Sequence, residues 1–189
     1  MFEINQNPIF GERDNYKCLG SSFIEKRNPF EYEQNLLKIK AGTIIDFYTG
    51  QKWVQVVAKK EIVFDPAKIL DESNRLEMGR DYSIYLCAKE GGVGLVVSKN
   101  GTFPHGYSGQ ETRKIGGFHY GSVRKVSDDG LWIPIDTDGN KFGASSVKWE
   151  DNVTTGIVPN SVWDLKNRPR TLFGGLAKVG NIWVSIYQA

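Results

Sequence analysis

The sequence predicts an α+β chain that is mostly β, with a small N-terminal β region ahead of a second, larger domain. Three observations point there. Short runs of β-branched and aromatic residues recur between turn residues, as in Thr43-Ile44-Ile45-Asp46-Phe47-Tyr48 and Trp53-Val54-Gln55-Val56-Val57. Glycines and prolines are spread along the whole chain and are not pooled in a linker. Helix signals are confined to two short stretches.

Residues 1–34 read as an irregular arm punctuated by Asn7-Pro8, Gly20-Ser21-Ser22 and Asn28-Pro29, with Phe10, Phe23, Phe30 and Tyr32 interleaved. Such an arm packs either on its own domain or on a neighbouring subunit. Residues 35–79 form the small β region, with strands expected at Leu36–Ile39, Thr43–Tyr48, Trp53–Val57 and Glu61–Phe64. Asp65-Pro66 opens a short helix to Leu70, because Asp suits an N-cap and proline the first helical position. A soft boundary falls at Gly79, and residues 80–189 make the second domain. There, Tyr82–Cys87 and Val93–Ser98 flank Gly91-Gly92 as a hairpin.

Ser108 with Glu111 predicts a capped helix over 108–113, ended by Gly116-Gly117. Phe118–Tyr120 is a short strand that Val123–Val126 extends. Asp128-Asp129-Gly130 is a turn, and Leu131–Ile135 is extended. A loop-rich section runs from Asp136 to Pro159, followed by a short ordered piece at Val162–Leu165. Leu176–Val179 and Ile182–Tyr187 around Gly180-Asn181 give the clearest hairpin signal in the chain.

Composition narrows the function. With 24 basic and 22 acidic residues among 189, the net charge is +2 and no basic stripe marks a nucleic-acid face. No run reaches the roughly 20 apolar residues of a membrane span. Met1-Phe2-Glu3-Ile4-Asn5 lacks a signal-peptide start, which predicts synthesis in a cytoplasm. Aromatic residues at 12% argue for a collapsed fold. Cys18 and Cys87 make neither a disulfide framework nor a metal knuckle, and Cys87, within an apolar strand, reads as a buried free thiol.

Candidate chemistry is sparse. His105 and His119 are the only histidines and fall short of a zinc ligand set. Asp136-Thr137-Asp138-Gly139-Asn140 is oxygen-rich, but its glycine sits fourth and Val147 falls at the twelfth position, where a calcium loop needs glutamate, so a polar turn is favoured. No nucleophile elbow and no phosphate-cradling loop occurs. This predicts no catalytic residues, no metal and no cofactor. Aromatics beside glycine-rich and polar stretches carry more weight, since flat rings bury area at low entropic cost. Tyr107, His119, Tyr120, Trp132 and Trp149 are the candidate ligand- or receptor-binding residues, and Trp163 lies in a similar setting. The competing reading is that these rings fill the core of a loop-rich domain, as expected of Trp183.

Three blocks carry a resemblance. They are Tyr82–Leu86 through Leu95–Ser98, Pro104–Tyr107 and Arg113–His119; Gly156–Leu165 with Arg168-Pro169; and Ile182–Tyr187. Together they resemble a family of bacteriophage and prophage structural proteins. Asn160-Ser161-Val162-Trp163-Asp164-Leu165 is similar to the Gly-Asn-Val-Trp-Glu-Trp signature of the C-type-lectin-like fold shared by phage tropism determinants and formylglycine-generating enzymes. Gly174-Gly175 stands where that fold has Arg-Gly-Gly-Ser-Trp, without the Ser-Trp. The enzyme's C-terminal cysteines have no counterpart. The resemblance implies a C-type-lectin-like domain over 80–189 in a non-enzymatic, tail-associated virion protein. That protein would bind a host-surface receptor or glycan, or attach tail parts. Its partners would be other virion proteins and further copies of itself, with no nucleic acid and no membrane span. The alternatives are a capsid or tail decoration protein without receptor contact, and an enzyme or carbohydrate-binding module on the same fold.

Overall fold

The computed structural model describes residues 2–5, 30–33, 35–73, 75–125, 132–134, 153–158, 160–164, 175–180 and 182–185. Of these, 5, 33, 122–125, 132–134 and 153–154 are described by their backbone alone. The described residues form fourteen strands and one 3-10 turn. The chain is mostly β, as the sequence predicts.

Three sheets and a hairpin make up the architecture. β4 (Thr43–Tyr48) and β5 (Trp53–Ala58) form a hairpin, and β1 (Glu3–Asn5) adds to the free side of β5. β2 (Phe30–Glu33), β3 (Leu36–Ile39) and β6 (Ile62–Phe64) make the second sheet. The arm expected to be irregular therefore holds two short strands, each paired within the chain. Residues 6–29 lie outside the described residues.

The third sheet is built on β9 (Thr112–Lys125), a strand of 14 residues. β7 (Arg80–Lys89) pairs with β9 along Thr112–Tyr120 and with β8 (Gly92–Ser98) on its other side. β10 (Trp132–Pro134), β11 (Val153–Ile157) and β12 (Trp163–Asp164) also pair with β9. β13 (Leu176–Val179) and β14 (Ile182–Ser185) form the final hairpin around Gly180, whose φ of 58° is the left-handed value a tight primed turn requires.

Two expectations give way here. The helix over 108–113 is a turn that leads straight into β9. Ser108 and Glu111 do meet as a capping box does: the Ser108 hydroxyl donates to Glu111 Oε2 at 2.6 Å and its N–H donates to the same oxygen at 3.2 Å. The turn closes with the Glu111 N–H on the Ser108 carbonyl, and Ala88 N–H claims the Glu111 carbonyl at 2.8 Å, committing the chain to β pairing. Gly116 and Gly117 do not stop an element either. A Cβ on Gly116 would sit 2.5 Å from the Trp163 carbonyl oxygen and 2.6 Å from Phe30 Cε2. One on Gly117 would strike the Trp163 indole and lie 2.5 Å from the Tyr82 carbonyl. The glycines mark a close approach inside a strand, not its end. In the same way, the section expected to be loop-rich from Asp136 onward contains β11, which pairs with Tyr120–Arg124. The helix expected over 66–70 is a 3-10 turn, Pro66–Ile69, capped by the Asp65 carboxylate on Ala67 N–H at 3.0 Å.

One main core unites the sheets. Phe30, Leu37, Ile39, Ile45, Phe47, Val54 and Val56 pack with Tyr82, Ile84, Leu86, Val97, Ile115, Phe118 and Ile157. Burial therefore runs across Gly79, joining residues of the 35–79 region with those beyond residue 80. A smaller cluster of Tyr85, Cys87 and Val96, with Tyr107 against it, lies on the opposite face of β7, as alternation along a strand dictates.

Candidate functional site

A cleft of about 420 Å³ opens where three distant segments meet. β2 supplies Phe30, Glu31 and Tyr32, the segment leading into β12 supplies Asn160 and Val162, and β13 supplies Lys178. β2 is suited to this position because it is an outer strand of its sheet.

Each wall is held by identifiable bonds. Phe30 is buried and reaches Gly116, so the absence of a side chain there lets β2 close on β9. The Glu31 carboxylate pairs with Lys40 Nζ at 2.9 Å, and that bond and charge hold its carboxyl below the usual carboxylate range. Tyr32 is 36% exposed. Burial pushes its hydroxyl up, opposed by a hydrogen bond to the Asn160 backbone. The Lys178 N–H donates to the Asn160 carbonyl at 2.8 Å, tying β13 to the same residue.

Asn160 has φ of 59°, the only left-handed non-glycine backbone among the described residues. Asparagine tolerates that region better than most residues. A buried polar knot beneath it sets the turn. The Ser161 hydroxyl donates to the Val158 carbonyl at 2.6 Å and accepts from His119 N–H at 3.0 Å. Val158 N–H donates to the His119 carbonyl at 2.9 Å. The His119 ring nitrogen Nδ1 lies 2.8 Å from Asp81 Oδ1, and the other Asp81 oxygen accepts from Gly175 N–H at 3.5 Å, at the start of β13. The knot thus links β7, β9, the 158–161 turn and the final hairpin.

The residues singled out from sequence do not converge on this cleft. His119 is 2% exposed and works in the knot, so it offers no outward surface, which corrects its assignment as a contact residue. Tyr107 packs, half-buried, beside Tyr85, Cys87 and Val96. Tyr120 packs against the main core at the other end of β7, opposite Arg80. Cys87 and Arg80 are separated by about 23 Å of strand, so Tyr107 and Tyr120 lie at opposite ends of β7. Trp132 lies in β10, described by its backbone alone, and Trp149 falls outside the described residues, as does the oxygen-rich 136–140 turn. Trp163 is buried against Gly117, whereas Trp183, expected in the core, is only half-buried. His105 is exposed, with Nδ1 3.3 Å from Glu72 Oε1. Among the described residues no group of three His, Cys, Asp or Glu side chains comes together, and no helix is long and apolar enough to cross a membrane. Cys87 is buried and free, and burial pushes its thiol up to about 12.

Sequence reasoning missed Tyr32, Asn160 and Lys178. Asn160 alone carried a local signal, as the first residue of the stretch similar to the lectin-like signature; the other two become neighbours only where β2 and β13 meet around it.

A β scaffold thus carries an open cleft beside a turn held by buried hydrogen bonds. The Mtd second domain family model matches residues 30–150, and the chain belongs to that family. It is 33% identical over 151 residues to the tail fiber receptor-binding protein of Bordetella phage BPP-1, covering 79% of this chain and 31% of that protein. The chain therefore spans about a third of that relative's length. Among solved structures, the U1 variant of Major Tropism Determinant matches with a TM-score of 0.59 at 24% identity, over 88% of this chain and 38% of that one, a likeness of fold. The P3c variant matches with a TM-score of 0.56 at 25% identity, over 83% of this chain and 34% of that one. The I1 variant gives 0.53 at 26% identity, over 81% and 32%. The resemblance to tropism determinants read from sequence thus holds, and the matched family segment runs across Gly79.

Proposed function

We propose that this chain is a non-enzymatic, tail-associated component of a phage virion that contributes to host-surface binding. The observation that carries this reading is the 33% identity to a tail fiber receptor-binding protein, extending over 79% of the chain. The geometry supports it. The sheets share one core, the turn at Asn160 is tied to it by buried hydrogen bonds, and the final hairpin is joined to that turn by Lys178 N–H, so the cleft is presented on a built support.

Self-association belongs to the same reading. The register of the final hairpin puts Ala177, Val179, Ile182 and Val184 on one face, all apolar, with Val179 61% and Ile182 65% exposed. A two-stranded hairpin is marginal in water on its own, so an apolar outer face favours contact with another copy or another virion protein. Light scattering on the purified chain is expected to show a homo-oligomer; a monomer at all concentrations removes that part.

Immunogold labelling of purified particles tests the virion assignment. Gold on the tail is expected, and particles without gold overturn it. Gold on the tail of particles whose adsorption the purified chain cannot inhibit would replace receptor binding by attachment of tail parts.

A further inference from the structure

We propose that the cleft between Tyr32, Asn160 and Lys178 holds one pyranose ring of a cell-surface glycan, an inference that rests on the virion reading above. The lining is mixed in the way a sugar requires. Phe30 and Val162 are apolar, and Tyr32 adds a partly exposed aromatic ring, on which the C–H face of a pyranose can pack. Polar groups surround them: the Glu31 carboxylate accepts only, the Lys178 ammonium donates only, and the Asn160 amide does both. Sugar hydroxyls donate and accept, so one ring can meet all three, whereas an apolar ligand would desolvate them without offering a hydrogen bond. The volume of about 420 Å³ falls within the range of small-molecule sites, about 300–1,000 Å³.

The site is also preorganised. A left-handed backbone is disfavoured for any residue with a Cβ, and such outliers persist only where the surroundings over-determine them. Here Lys178 N–H, Tyr32 and the Ser161 knot fix the residue that carries the amide. Glu31 is held in place by Lys40, and Lys178 by its strand. Repeated copies on a particle convert weak single-ring contacts into firm adsorption.

The purified 189-residue chain is applied to an array of bacterial O-antigen and capsule oligosaccharides, and each bound sugar is then titrated by saturation-transfer NMR. Asn160→Gly removes the amide while relieving the backbone, and Lys178→Ala removes the ammonium. Both are expected to weaken binding at least about tenfold, with melting temperature unchanged or raised in Asn160→Gly. Glu90→Gln, exposed in the turn between β7 and β8, leaves sugar binding unchanged. No bound saccharide, or binding intact in both cleft variants, overturns the inference, as does competition for the cleft by a host surface protein instead of a sugar. Particle labelling keeps the two readings apart. Labelled tails with a sugar-blind chain discard the glycan and retain the virion assignment; unlabelled particles discard both.

Discussion

At the scale of single residues, the fold turns on the closeness of Gly116 and Gly117 to Trp163 and Phe30. Two glycines in the middle of a strand weaken it in isolation, yet here they let an indole and a phenyl ring lie directly against the backbone. Gly117→Ala has no room, because the Trp163 ring and the Tyr82 carbonyl both occupy the position. It is expected to cost about 2–3 kcal/mol, a fall of roughly 5–10 °C in Tm for a chain of this size, read by circular dichroism. Cys87 makes a second residue-level case. Its thiol is driven up to about 12 by burial, so the folded state holds the proton more tightly than the unfolded one. The stability this adds is present below the ordinary thiol value and is lost as pH climbs toward about 12. In a Cys18→Ser background, Cys87 is expected to react with a thiol reagent at neutral pH only at the rate of unfolding; immediate reaction would mean the thiol is accessible.

Elements show where the sequence was legible and where it was not. Hairpins were legible because period-2 apolar patterns and glycine turns are local: β4–β5, β7–β8 and β13–β14 all fall where the runs place them. β9 was not, because its glycines and the Ser108–Glu111 pair are local signs of a helix and a stop. Their real cause is tertiary, a tryptophan 46 positions away in sequence closing on the strand. The cleft was illegible for the same reason, being assembled from β2, the Asn160 turn and β13. The knot that positions the turn predicts its own test. Ser161→Ala removes the hydroxyl that accepts from His119 N–H and donates to the Val158 carbonyl and is expected to cost about 1–3 kcal/mol, while weakening any ligand of the cleft, because the turn carrying Asn160 loses its anchor. An unchanged Tm, measured by thermal denaturation, would mean the knot does not hold the turn.

For the molecule as a whole, the main core links sheets from either side of Gly79. Residues 35–125 are therefore expected to unfold in one cooperative transition, with fluorescence and circular dichroism coinciding in a denaturant titration; two separated transitions would divide the chain at the boundary suggested by its composition. The same unity suits a virion part, which must present a surface without deforming. The central claim, contact with the host surface by a tail-associated β scaffold, is tested most directly by adsorption. Susceptible cells are pre-incubated with the purified chain, particles are added, and unadsorbed phage are counted. Free phage are expected to rise with protein concentration and then saturate. Adsorption that stays constant at saturating protein would contradict it.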